Sequence, residues 1–120
     1  ILKNIKIPWS VNSLAQDAAN AVLKDISHIK KSNLIIKKEL KYLKEQISAI
    51  DGFECLSSFT NFMLIKTKHD STKLQIKLLK NKILIRDCKN FRGLNNHYIR
   101  IAVKSHKDNI KLVTALEKMK

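Results

Sequence analysis

The chain has two glycines, one proline and two cysteines in 120 residues, and these shortages exclude several kinds of site. Gly52 and Gly93 lie too far apart to write a GxGxxG turn or a P-loop, so a glycine-rich backbone cradle for nucleotide phosphates is excluded. Cys55 and Cys88 stand alone without CxxC spacing, which predicts free thiols in a reducing compartment and no disulfide framework. His28, His69, His97 and His106 are scattered at no ligand spacing, so no metal is expected. There is no GxSxG elbow for a nucleophile. Ser27 to Lys30 writes an SxxK pattern, but it falls among helical lysines that read as solvated. No apolar run approaches the roughly 20 residues that span a bilayer, and the first residues carry no signal-peptide pattern, giving the expectation of a soluble cytoplasmic protein. With no repeat, no low-complexity tract and no flexible linker, 1–120 reads as a single domain.

Acidic residues are also scarce. Ten stand against 24 basic ones, a formal net charge of +14. Such an excess raises a rival reading as a basic nucleic-acid-binding module. The lysines, however, run from Lys3 to Lys120 without forming a stripe, and aromatics for base stacking are only 6% of the chain. A solvated lysine surface is the better account. Arginine is rarer still: Arg86, Arg92 and Arg100 are the only three, all within the window from Ile83 to Val103. Where lysine supplies charge everywhere else, an arginine marks a place for a planar, bidentate fork that grips a carboxylate or phosphate.

Periodicity predicts the elements. A helix from Val11 to Lys24 carries Leu14, Ala18 and Val22 on one stripe, with Ser10 or Asn12 as its cap. A second helical stripe runs through Ile29, Ile36, Leu40, Leu43, Ile47 and Ile50 and stops at Asp51-Gly52. That stripe would also suit a partner-binding helix, but a following sheet that needs covering favours a core role. Phe53 to Leu56 and Phe62 to Lys66 read as paired strands. Asp70 caps a helix over Ser71 to Asn81, and strands are predicted at Ile83 to Asp87 and Tyr98 to Val103 around a polar loop holding Gly93. Ser105 with Asp108 resembles a capping box that opens a last helix with Ile110, Val113, Leu116 and Met119 inward. The order defines an α+β fold, with a small antiparallel or mixed sheet and helices packed on one face.

Within the last predicted strand, alternation puts Ile99, Ile101 and Val103 on one face and Tyr98, Arg100 and Ala102 on the other. Arg100 then projects from a rigid strand without entering the core. Arg86 ends the preceding strand and comes close to Arg100 if the two strands are neighbours. Two such cations repel unless a doubly anionic ligand compensates, and a molecule with a carboxylate at one end and a phosphate at the other satisfies both.

The segments Pro8-Trp9-Ser10-Val11-Asn12-Ser13-Leu14-Ala15-Gln16, Asn61-Phe62-Met63-Leu64, Ile85-Arg86-Asp87-Cys88, Phe91-Arg92-Gly93-Leu94 and Tyr98-Ile99-Arg100-Ile101-Ala102-Val103 carry a resemblance over essentially the whole chain. It resembles the C-terminal small domain of fold-type-I pyridoxal-phosphate enzymes. Within them it is similar to histidinol-phosphate aminotransferases and, more closely, to L-threonine-O-3-phosphate decarboxylases of cobalamin biosynthesis. The resemblance implies that Arg100 binds the substrate α-carboxylate and Arg86 its phosphate. Asn61 and Trp9 are implied to be structural, Arg92 has no assigned role, and 1–10 becomes a domain-junction segment. It further implies that pyridoxal phosphate is held by a larger domain preceding Ile1, so that this chain alone is inactive and contains no catalytic residue. The whole enzyme would be a homodimer acting on a phosphorylated amino acid or amino alcohol by decarboxylation or transamination. The absence of an initial methionine fits an excised piece of such a protein.

Overall fold

A computed structural model of the chain describes residues 11–119. The segment 1–10, with Pro8 and Trp9, lies outside the described residues. The chain divides into two compact units, Ile1–Asn33 and Leu34–Lys120.

The first unit contains α1 (Ser13–Lys24) and the start of α2 (Ile26–Ser48). Asn12 caps α1 by accepting the Ala15 N–H at 2.9 Å, and Asp25 accepts the His28 N–H at 2.9 Å to open α2. These bonds satisfy helix-start donors that have no intrahelical partner. No residue of α1 is buried, so Leu14, Ala18 and Val22 form an exposed apolar stripe.

In the second unit, the rest of α2 buries Leu43 and Ile47, with Ile36 and Leu40 half-buried above them. Gly52, at φ 86°, turns the chain into β1 (Phe53–Cys55), which pairs antiparallel with β2 (Phe62–Thr67). Next come α3 (Ser71–Lys80), capped by Asp70, then β3 (Arg86–Asp87), β4 (Tyr98–Ala102) and α4 (His106–Glu117). The sheet order is β1-β2-β4-β3, with every pairing antiparallel. The α+β expectation therefore holds in its antiparallel form. One sheet face supplies Phe53, Met63, Ile65, Ile99 and Ile101 to a core completed by Leu74, Leu78, Leu112, Val113 and Leu116 of α3 and α4. The opposite face carries Phe62, Leu64, Lys66, Tyr98 and Arg100, all exposed or half-buried.

Two local expectations are corrected. The strand predicted over Ile83 to Asp87 pairs only at Arg86–Asp87. Ile83 is still tied to the end of α3 by its N–H bond to Leu78 O, and Lys82 adopts φ 59°, so the run meets β4 late. Ile110, expected inward on α4, is 43% exposed, while Leu112 and Asn109 are buried. The inward arc of α4 is thus turned from the predicted Ile110–Met119 line. The capping box at its start is observed: Ser105 Oγ accepts the Asp108 N–H at 3.3 Å and donates to the Asp108 carboxylate at 2.7 Å.

Candidate anion site on the open sheet face

Arg100 occupies the centre of β4, between Ile99 at 0% and Ile101 at 2% exposure, so buried neighbours anchor the backbone beneath it. Arg86 is paired directly opposite Arg100 in the β3–β4 register. Directly opposed residues point to the same side of a sheet. The structure therefore brings the two predicted site residues together on the sheet face opposite the one that packs on α3 and α4. Arg92 is exposed in the intervening loop and is not part of this pair.

Opposed cations destabilise a strand pair. For unit charges 4 Å apart the repulsion is about 1 kcal/mol in water and about 4 kcal/mol at an effective dielectric of about 20. Among the described residues no carboxylate forms an ion pair with either guanidinium. Aromatic rings take that place. Arg100 Cζ lies 4.7 Å from the Phe62 ring centroid and 5.9 Å from that of Phe91, and Arg86 Cζ lies 5.4 Å from Phe91. A ring's negative face attracts a cation without neutralising it. Arg86 also donates to Asn90 Oδ1 at the long distance of 3.5 Å.

The loop carrying Phe91 is built by its backbone. Phe91 N–H donates to Cys88 O and Leu94 N–H to Phe91 O, each at 3.0 Å, with Gly93 at φ 83° between them. A tight turn with positive φ at its third residue calls for glycine there. Cys88 anchors the near end of the loop in the core. Burial pushes its thiol up from the ordinary value against the opposing pull of Arg100 and Arg86, so it stays a neutral packing group.

Asp87, next to Arg86, turns to the helix side and fastens β3 to α3. Its carboxylate accepts from Ser71 Oγ at 2.8 Å, Thr72 Oγ1 at 2.7 Å and the Lys89 N–H at 2.9 Å. Burial raises its pKa, but these bonds and the nearby Lys89 ammonium outweigh that and hold the carboxyl below its ordinary value. Gln75 adds a 2.7 Å bond to Ile85 O. A second clasp was equally invisible in the sequence: Glu39, 4% exposed, accepts from Asn109 Nδ2 at 2.8 Å and faces His106 Nδ1 at 3.1 Å. Asn109 in turn bonds both the N–H and C=O of Lys104, just beyond β4.

A concavity of about 490 Å³ borders the same sheet face, lined by Glu54, Lys66, Lys68, Asn95, His97 and Tyr98 and not by the arginines. Among the described residues there is no group of three or more His, Cys, Asp and Glu able to hold a metal ion, and no helix is long and apolar enough to cross a membrane. Phe62 and Phe91 had left a faint sequence signal, since both lie inside segments that carry the family resemblance. Nothing local marked them as contacts of the arginines.

Among the described residues, this antiparallel α+β unit presents two arginines without a carboxylate partner on one exposed sheet face. The chain belongs to the aminotransferase class I and II family, whose model matches residues 1–117. It is 34% identical over 121 residues to the histidinol-phosphate aminotransferase of Methanosphaera stadtmanae, covering 98% of this chain and 33% of that protein. The crystal structure of the histidinol-phosphate aminotransferase from Clostridium acetobutylicum matches with a TM-score of 0.84 at 38% identity, covering 98% of this chain and 36% of that one. That of L-threonine-O-3-phosphate decarboxylase from Porphyromonas gingivalis matches with a TM-score of 0.77 at 31% identity, covering 93% and 35%. The chain thus spans about a third of the length of the curated relatives it matches.

Members of this family use pyridoxal phosphate. Every lysine among the described residues is exposed, so none offers an enclosed amine beside a phosphate cradle. The described residues do not by themselves fit a covalently held pyridoxal phosphate.

Proposed function

We propose that this chain is the substrate-gripping small domain of a longer pyridoxal-phosphate enzyme, in which Arg100 holds the substrate carboxylate and Arg86 its phosphate. The observation that carries the reading is the opposed register of Arg86 and Arg100 on a face where, among the described residues, no carboxylate forms an ion pair with either. A small molecule anionic at both ends relieves their repulsion and receives two bidentate grips. Threonine phosphate has that form, which favours a threonine-phosphate decarboxylase. Histidinol phosphate has only one anionic end. The second reading, a histidinol-phosphate aminotransferase, is supported by the 38% identity to the Clostridium acetobutylicum enzyme.

When bound, the cofactor supplies the electron sink for breaking a bond at the substrate α-carbon. This reading assigns its covalent site to the part of the relatives' length that the chain does not span. The role left to this chain is orientation, since a carboxylate fixed by Arg100 and a phosphate fixed by Arg86 leave the α-carbon one pose. The same reading makes the intact protein a cytoplasmic homodimer with its large domain as this chain's constant neighbour, and leaves nucleic acid without a role.

The test is an assay of the full-length enzyme with threonine phosphate and with histidinol phosphate. Arg100→Lys is expected to lower kcat/KM by about 10- to 100-fold, the range for losing a bond to a charged group. Lys37→Ala, on the exposed side of α2, is expected to change it less than about 2-fold. Equal activities in the two variants reject the assignment, and the substrate turned over decides between the two enzymes.

A further inference from the structure

We propose that Phe91 is a positioning residue that sets the separation of the two guanidinium groups and thereby the span of dianionic substrate the pair accepts. The inference rests on the reading of Arg86 and Arg100 as the anion-gripping pair. A single ring serves both cations: the Phe91 centroid is 5.4 Å from Arg86 Cζ and 5.9 Å from Arg100 Cζ, whereas Phe62 reaches Arg100 alone. Arginine stems are long and flexible, and like charges opposed across two strands drive their heads apart. A carboxylate between them would hold them together but would use up the donors and charge that a ligand needs. An aromatic ring attracts each cation through its face and leaves the N–H edges of the guanidinium free for bidentate contacts.

The position of Phe91 is itself fixed. Its N–H is bonded to Cys88 O and its C=O to Leu94 N–H across the Gly93 turn. Cys88 is buried at one end, and its N–H joins Tyr98 O in continuation of the β3–β4 pairing. The ring is therefore held on the same pair of strands that carries the arginines.

The experiment uses the full-length enzyme and phosphonocarboxylates of increasing chain length as competitive inhibitors: phosphonoacetate, 3-phosphonopropionate and 4-phosphonobutyrate. Wild type is expected to prefer one length. Phe91→Leu keeps an apolar side chain but removes the ring, and is expected to reduce that preference by about 5-fold, the size of one or two cation–π contacts. Inhibition by inorganic phosphate, which needs one guanidinium, is expected to move less than about 2-fold. Phe91→Tyr keeps the ring and is expected to keep the preference, and Phe91→Met replaces Phe91→Leu if the latter fails to fold. A wild-type length preference in the leucine or methionine variant overturns the role of Phe91. Arg86→Ala and Arg100→Ala separate the two layers: if neither weakens phosphonocarboxylate inhibition, the arginine pair and the Phe91 inference fall together. If both weaken it and the ringless variants keep the preference, only the Phe91 inference falls.

Discussion

Glu39 sits on a lysine-rich helix and is nevertheless buried, because Asn109 and His106 supply the hydrogen bonds that its carboxylate would otherwise take from water. Burial raises its pKa, but those two bonds, with His106 and Lys38 nearby, bring it below its ordinary value. A carboxyl whose pKa is lower in the folded than in the unfolded state stabilises the fold above the unfolded value, and that contribution is lost as pH falls through the folded one. Glu39→Gln is expected to cost about 1–3 kcal/mol at pH 7, with the gap closing as pH drops below the ordinary carboxylate range. Urea denaturation at neutral and acid pH checks this, and a gap that does not depend on pH would contradict it. At this scale the sequence was legible wherever a side chain's role followed from its own chemistry. The rarity of arginine beside abundant lysine singled out Arg86 and Arg100. That reasoning did not reach Glu39, whose hydrogen-bond partners come from α4, far along the chain.

Elements defined by their own period and caps emerged largely as read: α3 behind Asp70, α4 behind Ser105 apart from its outward Ile110, and β4 with Ile99 and Ile101 inward. β3 did not, since its length is decided by where α3 releases the chain and by the Asp87 clasp on Ser71 and Thr72. Asp87→Asn is expected to destabilise the domain by about 1–3 kcal/mol and to speed amide exchange at Cys88, which bonds Tyr98, more than in β1 and β2. Uniform acceleration across the sheet would argue against a local clasp. At the loop turn, a Cβ on Gly93 would meet nothing within 4 Å, so any cost of Gly93→Ala arises from φ 83° alone. The expected loss is about 1 kcal/mol by chemical denaturation, largely recovered in Gly93→Asn, since asparagine tolerates that backbone region. An alanine variant as stable as wild type would remove the conformational reason for the glycine.

For the molecule as a whole, the family and the α+β class follow from segments spread along the chain, while the relatives it matches are about three times as long. The 120-residue chain alone is expected to turn over neither threonine phosphate nor histidinol phosphate while the full-length enzyme consumes one of them, and measurable turnover by the chain alone would refute its role as a substrate grip. Composition and periodicity by themselves determined the helices and the strands other than β3, the sided alternation of β4 and the choice of arginine as the chemically distinctive residue, because each is a property of near neighbours. Only the tertiary structure decided that Arg86 stands opposite Arg100, that one phenylalanine ring touches both, and that Asp87 and Glu39 turn away from solvent. Those outcomes depend on cross-strand register and on which helix covers which face, and the backbone pairing that sets them joins residues no local pattern connects.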